Sequence, residues 1–188
     1  HVLDSLSLMG HVGESHSSEP ARLSLIDVGA GGGLPGIPLA IVRPDLDVTL
    51  LEATGKKARF CRETADALGL DNVTVVNDRA ESVGQQSAHR QRYDLVVARA
   101  VGPMRVMLEF TLPLSKVGGR VLAMKGRRVG AELDEAGDAL MLLGAGEVEL
   151  YEALPDLEDD AVIVEITKNR PTPKQYPRRP GEPKAKPL

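Results

Sequence analysis

Four residues at alternate positions, Asp27, Gly29, Gly31 and Gly33, stand at the end of the apolar run Leu25-Ile26 and are followed by Leu34-Pro35-Gly36. A short apolar run that ends in an acid reads as a buried strand. Glycines directly after it read as a tight turn whose backbone must lie close to something. Residues 37–42, with Pro35 or Pro38 near their start, read as the opening of a helix, where a missing N–H is tolerated. Strand, turn and helix together make an entrance at which backbone amides and a helix N-terminus meet a nucleotide.

Two templates fit this entrance. Asp27-x-Gly29-x-Gly31-x-Gly33 is the acid-x-Gly-x-Gly-x-Gly pattern of enzymes that bind S-adenosyl-L-methionine, and Gly31-x-Gly33-x-x-Gly36 is a formal dinucleotide fingerprint. The dinucleotide turn should begin directly after the strand. Read from Gly29, its third glycine falls on Leu34 and is lost. Charge separates the two as well. A carboxylate at Asp27 repels a pyrophosphate, but it suits a ligand carrying a sulfonium and an ammonium. The first template is preferred, and an NAD(P)-dependent oxidoreductase stays open as the alternative.

Other candidate residues follow from the elements around this turn. Strands are expected at about 24–28, 47–51, 73–76, 94–98, 120–124, 148–153 and 161–167. Helices are expected at 36–43, 56–68, 104–114 and 131–143, and residues 1–22 as a helix and a loop. Gly118-Gly119 reads as a turn into the fifth strand. Helices alternate with the first five strands, so the sheet is mainly parallel with helices on both faces. The last two strands, joined by the acidic turn 155–160, form an antiparallel hairpin. Glu52 then lies at the end of the second strand, where a carboxylate accepts the ribose hydroxyls. Ala80 and Glu81 follow the third strand at the same sheet edge, beside the adenine. Arg99 ends the fourth strand, placed to hold a methionine carboxylate, a phosphate or a base.

The chain has 188 residues and a single cysteine, Cys61, which excludes a disulfide framework and a cysteine metal site. No apolar run approaches the length that spans a bilayer. No metal-like cluster surrounds the four histidines, so no metal is expected. The net charge of −4 is uneven. From Lys168 onward seven basic residues meet one acid, Glu182, and residues 1–167 carry −10. A basic tail on an acidic body suggests a polyanionic partner. Residues 169–188 are proline-rich as well as basic, and read as an extended or disordered tail after a domain at 1–168.

The chain resembles the bacterial small-subunit ribosomal RNA guanine-N7 methyltransferase family, also called the glucose-inhibited division protein B family. The residues that carry the likeness are His1-Val2-Leu3-Asp4-Ser5-Leu6, the stretch from Asp27 to Ala40 with its Gly-Leu-Pro-Gly-Ile-Pro turn, and Leu50-Leu51-Glu52 with Gly55-Lys56-Lys57-Ala58-Arg59-Phe60. Arg79-Ala80-Glu81, Ala98-Arg99-Ala100, Met124-Lys125-Gly126 and Tyr176-Pro177-Arg178-Arg179-Pro180-Gly181 complete it. Members carry a further helical segment before the position of His1.

The resemblance implies a Rossmann-like class I methyltransferase that transfers methyl from S-adenosyl-L-methionine to N7 of one guanine in the decoding-region loop of 16S rRNA. It implies cofactor contacts at Gly29, Leu34, Ala80, Glu81 and Arg99; Asp27, Gly31 and Glu52 are added from their positions. No general base is required, because N7 of neutral guanine is an unprotonated lone pair on the major-groove edge. RNA affinity is expected to rest on His1, Lys125, Arg127, Arg128, Arg178 and Arg179. With three tyrosines and two phenylalanines there is little to stack bases on. A cytoplasmic monomer acting on 16S rRNA or the small subunit is expected, with a non-catalytic assembly factor as a further alternative.

Overall fold

The structure, a computed structural model, describes residues 2–13, 22–126, 128–153 and 161–188. The first short helices, α1 (Val2–Leu6) and α2 (Met9–Val12), precede β1 (Leu23–Val28), α3 (Gly36–Val42), β2 (Leu46–Leu51), α4 (Gly55–Ala67) and β3 (Val73–Val76). Next come α5 (Ala80–Val83), β4 (Tyr93–Arg99), α6 (Met104–Thr111), β5 (Ser115–Lys125), α7 (Val129–Asp134) and α8 (Gly137–Leu143). The chain closes with β6 (Ala145–Glu152), β7 (Val162–Lys168) and α9 (Glu182–Ala185).

The seven strands form one sheet in the order β3-β2-β1-β4-β5-β7-β6. β1 to β5 run parallel, while β7 is antiparallel to both β5 and β6. This is the class I methyltransferase arrangement that the alternating elements imply. The last strand slots between β5 and β6, where a plain dinucleotide fold would carry a parallel sixth strand.

Because side chains alternate across a strand, each central strand feeds two cores. Ile26, Val28, Val96, Ala98, Val121 and Ala123 pack with α6, α8 and Tyr176 on one face. Leu25, Leu95, Val97, Leu122 and Met124 pack with α2, α3 and Cys61 on the other. Burial of each large aliphatic side chain contributes about 1.5–3 kcal/mol, so the two layers hold the strand ends in fixed register.

Three expectations are corrected. The glycines Gly118 and Gly119 lie inside β5 rather than in a turn before it. The register between β4 and β5 shifts there, from Tyr93↔Ser115 to Leu95↔Arg120, so the pair makes an irregularity within a longer strand. The helix expected at 131–143 is two helices, parted where Ala136 N–H donates back only three residues to Leu133 O, just before Gly137. Residues 171–187, expected to be extended or disordered, are packed against the body. The physical reason is long-range: Arg90, Gln85 and Glu109 bind this segment's backbone and its Arg178 from 69 to 92 residues away. The acidic turn expected at 155–160 lies outside the described residues.

Candidate functional site

The site begins at the end of β1. Gly29, Gly31 and Gly33 have φ of 74, 59 and 86°, a left-handed region that side chains rarely enter, so only glycine makes this turn without strain. Gly29 and Ala30 N–H both donate to Leu51 O, at 2.8 and 3.1 Å, and so tie the turn to the end of β2.

Two carboxylates brace the turn from opposite sides. Asp27 is fully buried beneath it, and its Oδ2 accepts from Gly36 N–H at 2.9 Å, where α3 begins. Its Oδ1 is buried without a partner. Burial pushes the Asp27 carboxyl up to about 7, against the lowering effect of the Gly36 N–H and of Arg99. Glu52, at the end of β2, accepts from Thr54 N–H through Oε1 at 2.7 Å and from Gly31 N–H through Oε2 at 2.9 Å. Burial pushes Glu52 up, but the backbone donors of Thr54 and Gly31, the Thr54 side chain and the Lys57 charge together hold the group below the usual carboxylate range. The two carboxylates therefore differ: Asp27 is a buried strut, and Glu52 is an anion on a cavity wall.

That cavity, of about 370 Å³, opens at the carboxyl edge of the sheet. It is lined by Val28, Gly29 and Leu51 at the ends of β1 and β2, by Glu52, Ala53, Thr54 and Lys57 after β2, and by Asp78, Arg79, Ala80 and Glu81 after β3. Ala100, Val101, Phe110 and Lys184 complete it. Gly29, Glu52, Ala80 and Glu81 are thus brought together as expected. Gly31 joins them through its bond to Glu52.

The other expected residues lie elsewhere. Leu34 faces a separate apolar groove with Ile37, Pro38, Ile41 and Phe60. Asp27 lies under the turn rather than on the cavity wall. Arg99 reaches to Asp4 Oδ2 at 3.4 Å and so ties α1 to the end of β4. Lys125 Nζ donates to Gly102 O at 2.7 Å and to Glu132 at 2.6 Å, and Glu132 also accepts from Met104 N–H. Lys125 therefore pins the loop that carries Ala100 and Val101. Arg178 forms a bidentate pair with Glu109, which is fully buried. Arg128 and Arg179 are exposed. His1 and Arg127 lie outside the described residues.

Sequence reasoning missed Thr54, Lys57, Val101, Phe110 and Lys184. The first two lie within a few residues of Glu52, so nearness to that motif was a usable signal. Phe110 and Lys184 arrive through tertiary packing and carried none.

The cavity suits an adenosyl group. An ionised carboxylate directly after β2 lines it and can accept from ligand hydroxyls. Val28, Leu51, Ala80 and Phe110 supply an apolar slot beside it. The model of the family described as rRNA small subunit methyltransferase G, or GidB, matches residues 1–156. The chain belongs to this family.

Ribosomal RNA small subunit methyltransferase G of Lactobacillus johnsonii is 41% identical over 189 residues, spanning 100% of this chain and 78% of that protein. The protein of the same name from Symbiobacterium thermophilum is 46% identical over 194 residues, spanning 100% and 77%. Among solved structures, a SAM-dependent O-methyltransferase from Thermotoga maritima superposes with a TM-score of 0.64 at 18% identity, over 91% of this chain and 66% of that one. That likeness shows the fold. In this chain the Asp27–Gly36 turn and Glu52 are joined, since Gly31 N–H donates to the Glu52 carboxylate and Gly36 N–H to that of Asp27. Among the described residues no group of acids, histidines or cysteines is placed to hold a metal, and no helix is long and apolar enough to cross a membrane.

Proposed function

We propose that this chain transfers the methyl group of S-adenosyl-L-methionine to N7 of a guanine in 16S ribosomal RNA, as a cytoplasmic monomer acting on the RNA or the small subunit. The observation that carries the reading is Glu52: an ionised carboxylate on the cavity wall, bonded to Gly31 and Thr54, in a chain of the rRNA small subunit methyltransferase G family. When bound, the cofactor supplies a methyl group activated on a sulfonium.

The chain's own part is placement. Glu52 holds the hydroxyl edge of the ligand, the glycine turn lets backbone approach it, and Val28, Leu51 and Phe110 exclude water. A guanine N7 needs no proton removed, so no base is needed, and none of the described histidines lines the cavity: His11 bonds Glu165 and His89 bonds Tyr93. Alignment of nucleophile and donor can itself lower the barrier by about 7–11 kcal/mol. Lys125 holds the Ala100–Gly102 loop at the cavity rim. Arg128 and Arg179 offer exposed charge for RNA phosphates, with His1 and Arg127 as further proposed contacts. Arg99 and Leu34 support the site from behind, through α1 and α3.

The test is methyl transfer from labelled S-adenosyl-L-methionine to unmodified 16S rRNA and to 30S particles, with the labelled nucleotide then identified. Label on N7 of one guanine is the expected result. Cofactor binding without labelled RNA would leave the cavity assignment standing and overturn the substrate.

A further inference from the structure

The segment after β7 travels the height of the sheet. β7 ends beside the start of β5, with Thr167 opposite Arg120, at the edge away from the cavity. Lys184 nevertheless lines the cavity. Six prolines between 171 and 187 prevent a hydrogen-bonded ladder, so the carbonyls on the way need donors from elsewhere.

Side chains of the body supply them. At the start Lys168 Nζ, itself fully buried, holds the Thr172 hydroxyl while it bonds the body's own Leu112 O at 2.6 Å and Leu143 O at 3.2 Å. The Arg90 guanidinium donates to Thr172 O, Pro173 O and Tyr176 O as well as to Gly84 O. Gln85 Nε2 donates to Lys174 O and Pro177 O. Pro177 packs so closely on Gly84 that a Cβ there would come within 2.7 Å of Pro177 Cγ. The last tie is Gly181 N–H, which donates to Glu81 Oε1 at 2.9 Å. Glu81 is 3% exposed and also lines the cavity.

We propose that residues 171–188 are a fixed wall of the cofactor cavity, joined to it by Glu81 as a positioning residue, so that seating of this segment and binding of cofactor strengthen each other. The inference rests on the reading of the cavity as the S-adenosyl-L-methionine site. Its observations are geometric: one buried carboxylate faces both the segment and the cavity, and one side chain of the segment, Lys184, stands in the cavity wall. Coupling of this kind is reciprocal. Loosening the segment must weaken cofactor binding, and cofactor must protect the segment.

The experiment is calorimetry with S-adenosyl-L-methionine on the full chain and on Gln85→Ala, Lys184→Ala and Glu81→Gln. Limited proteolysis of the segment at its exposed lysines, with and without cofactor, runs alongside. Gln85 is exposed and lies outside the cavity wall, so its variant loosens the segment without touching the ligand's surroundings. The expected result is binding weakened about three- to tenfold in Gln85→Ala, as for loss of one or two hydrogen bonds. Cleavage of the wild-type segment should also slow by a similar factor in saturating cofactor. Wild type that binds no cofactor would overturn the reading of the cavity itself. Wild type that binds, with Gln85→Ala equal to it and no protection of the segment, would overturn the coupling alone. Weakening only in Lys184→Ala would also overturn it, since the lysine would then act directly and Glu81 would join nothing. Loss of 16S rRNA affinity in these variants with unchanged cofactor binding would make the segment an RNA arm and not a wall.

Discussion

The glycine turn and the C-terminal segment meet at the same cavity, but they are held by opposite means. The turn is shaped by what its residues lack: three positive-φ glycines leave room for backbone, and the acids Asp27 and Glu52 take up its N–H groups. The segment is shaped by what other residues supply, since Lys168, Arg90 and Gln85 donate to its carbonyls and to neighbouring groups. The turn is local: Gly29, Gly31 and Gly33 hold a backbone that side chains strain, and a Cβ at Gly33 or Gly36 would also meet a packed side chain. The segment is assembled across the fold and is a sum of separable contacts. Substitution should therefore act in an all-or-none way on the first and by degrees on the second.

The largest effect should come from Gly36→Ala. A Cβ there would overlap Leu50 Cδ2 and approach Asp27 Oδ2 to 3.0 Å, both residues being buried. Overpacking at this point should cost about 2–3 kcal/mol, read as a lower urea midpoint, and should abolish cofactor binding. A near-neutral result would break the contrast.

Arg90→Ala comes next. It removes donors from four carbonyls at once, and about 2 kcal/mol of stability should go with them. Hydrogen exchange should localise that loss to residues 171–181, with the β1 and β2 amides unchanged. Uniform loosening of the sheet would show that the segment is not separable.

Asp27 gives a smaller, pH-dependent test of the turn. Its carboxyl is raised in the fold to about 7 from an ordinary value near 3.8. Between those values the unfolded chain releases a proton that the folded chain keeps, so wild-type stability is full below pH 4 and falls as pH rises toward 7. Asp27→Asn should remove that slope, so the variant gains on the wild type as pH rises from 4 to 7. Parallel pH profiles for the two proteins would show that Asp27 is ionised beneath the turn.

The smallest effects belong to exposed charge. Arg128→Ala should weaken 16S rRNA binding slightly and lower the salt slope by about 1. Arg179→Ala should do no more than that. A larger effect at Arg179 would return the segment to the role of an RNA arm.

The same contrast explains what could be read from sequence. The seven strands and the antiparallel end were legible because apolar runs, turns and their alternation with helices report local backbone, and Gly29, Glu52, Ala80 and Glu81 were legible as strand-end positions and from the family resemblance. Lys125 and Arg178 were legible as cations but not as partners of Glu132 and Glu109, because an ion pair across the fold leaves no mark in spacing. The segment was read as disordered from its prolines. Composition does predict that it makes no ladder of its own, but the donors that order it begin almost 90 residues earlier. Gly118-Gly119 looked like a turn because a bulge inside a strand uses the same residues.

The place of Lys184 in the order of synthesis has a further meaning. It follows all seven strands, so a nascent chain that has just completed β7 already has every strand of its sheet and the whole glycine turn, while one side of the cavity is still open. The stretch that finishes the cavity is translated after the scaffold it rests on.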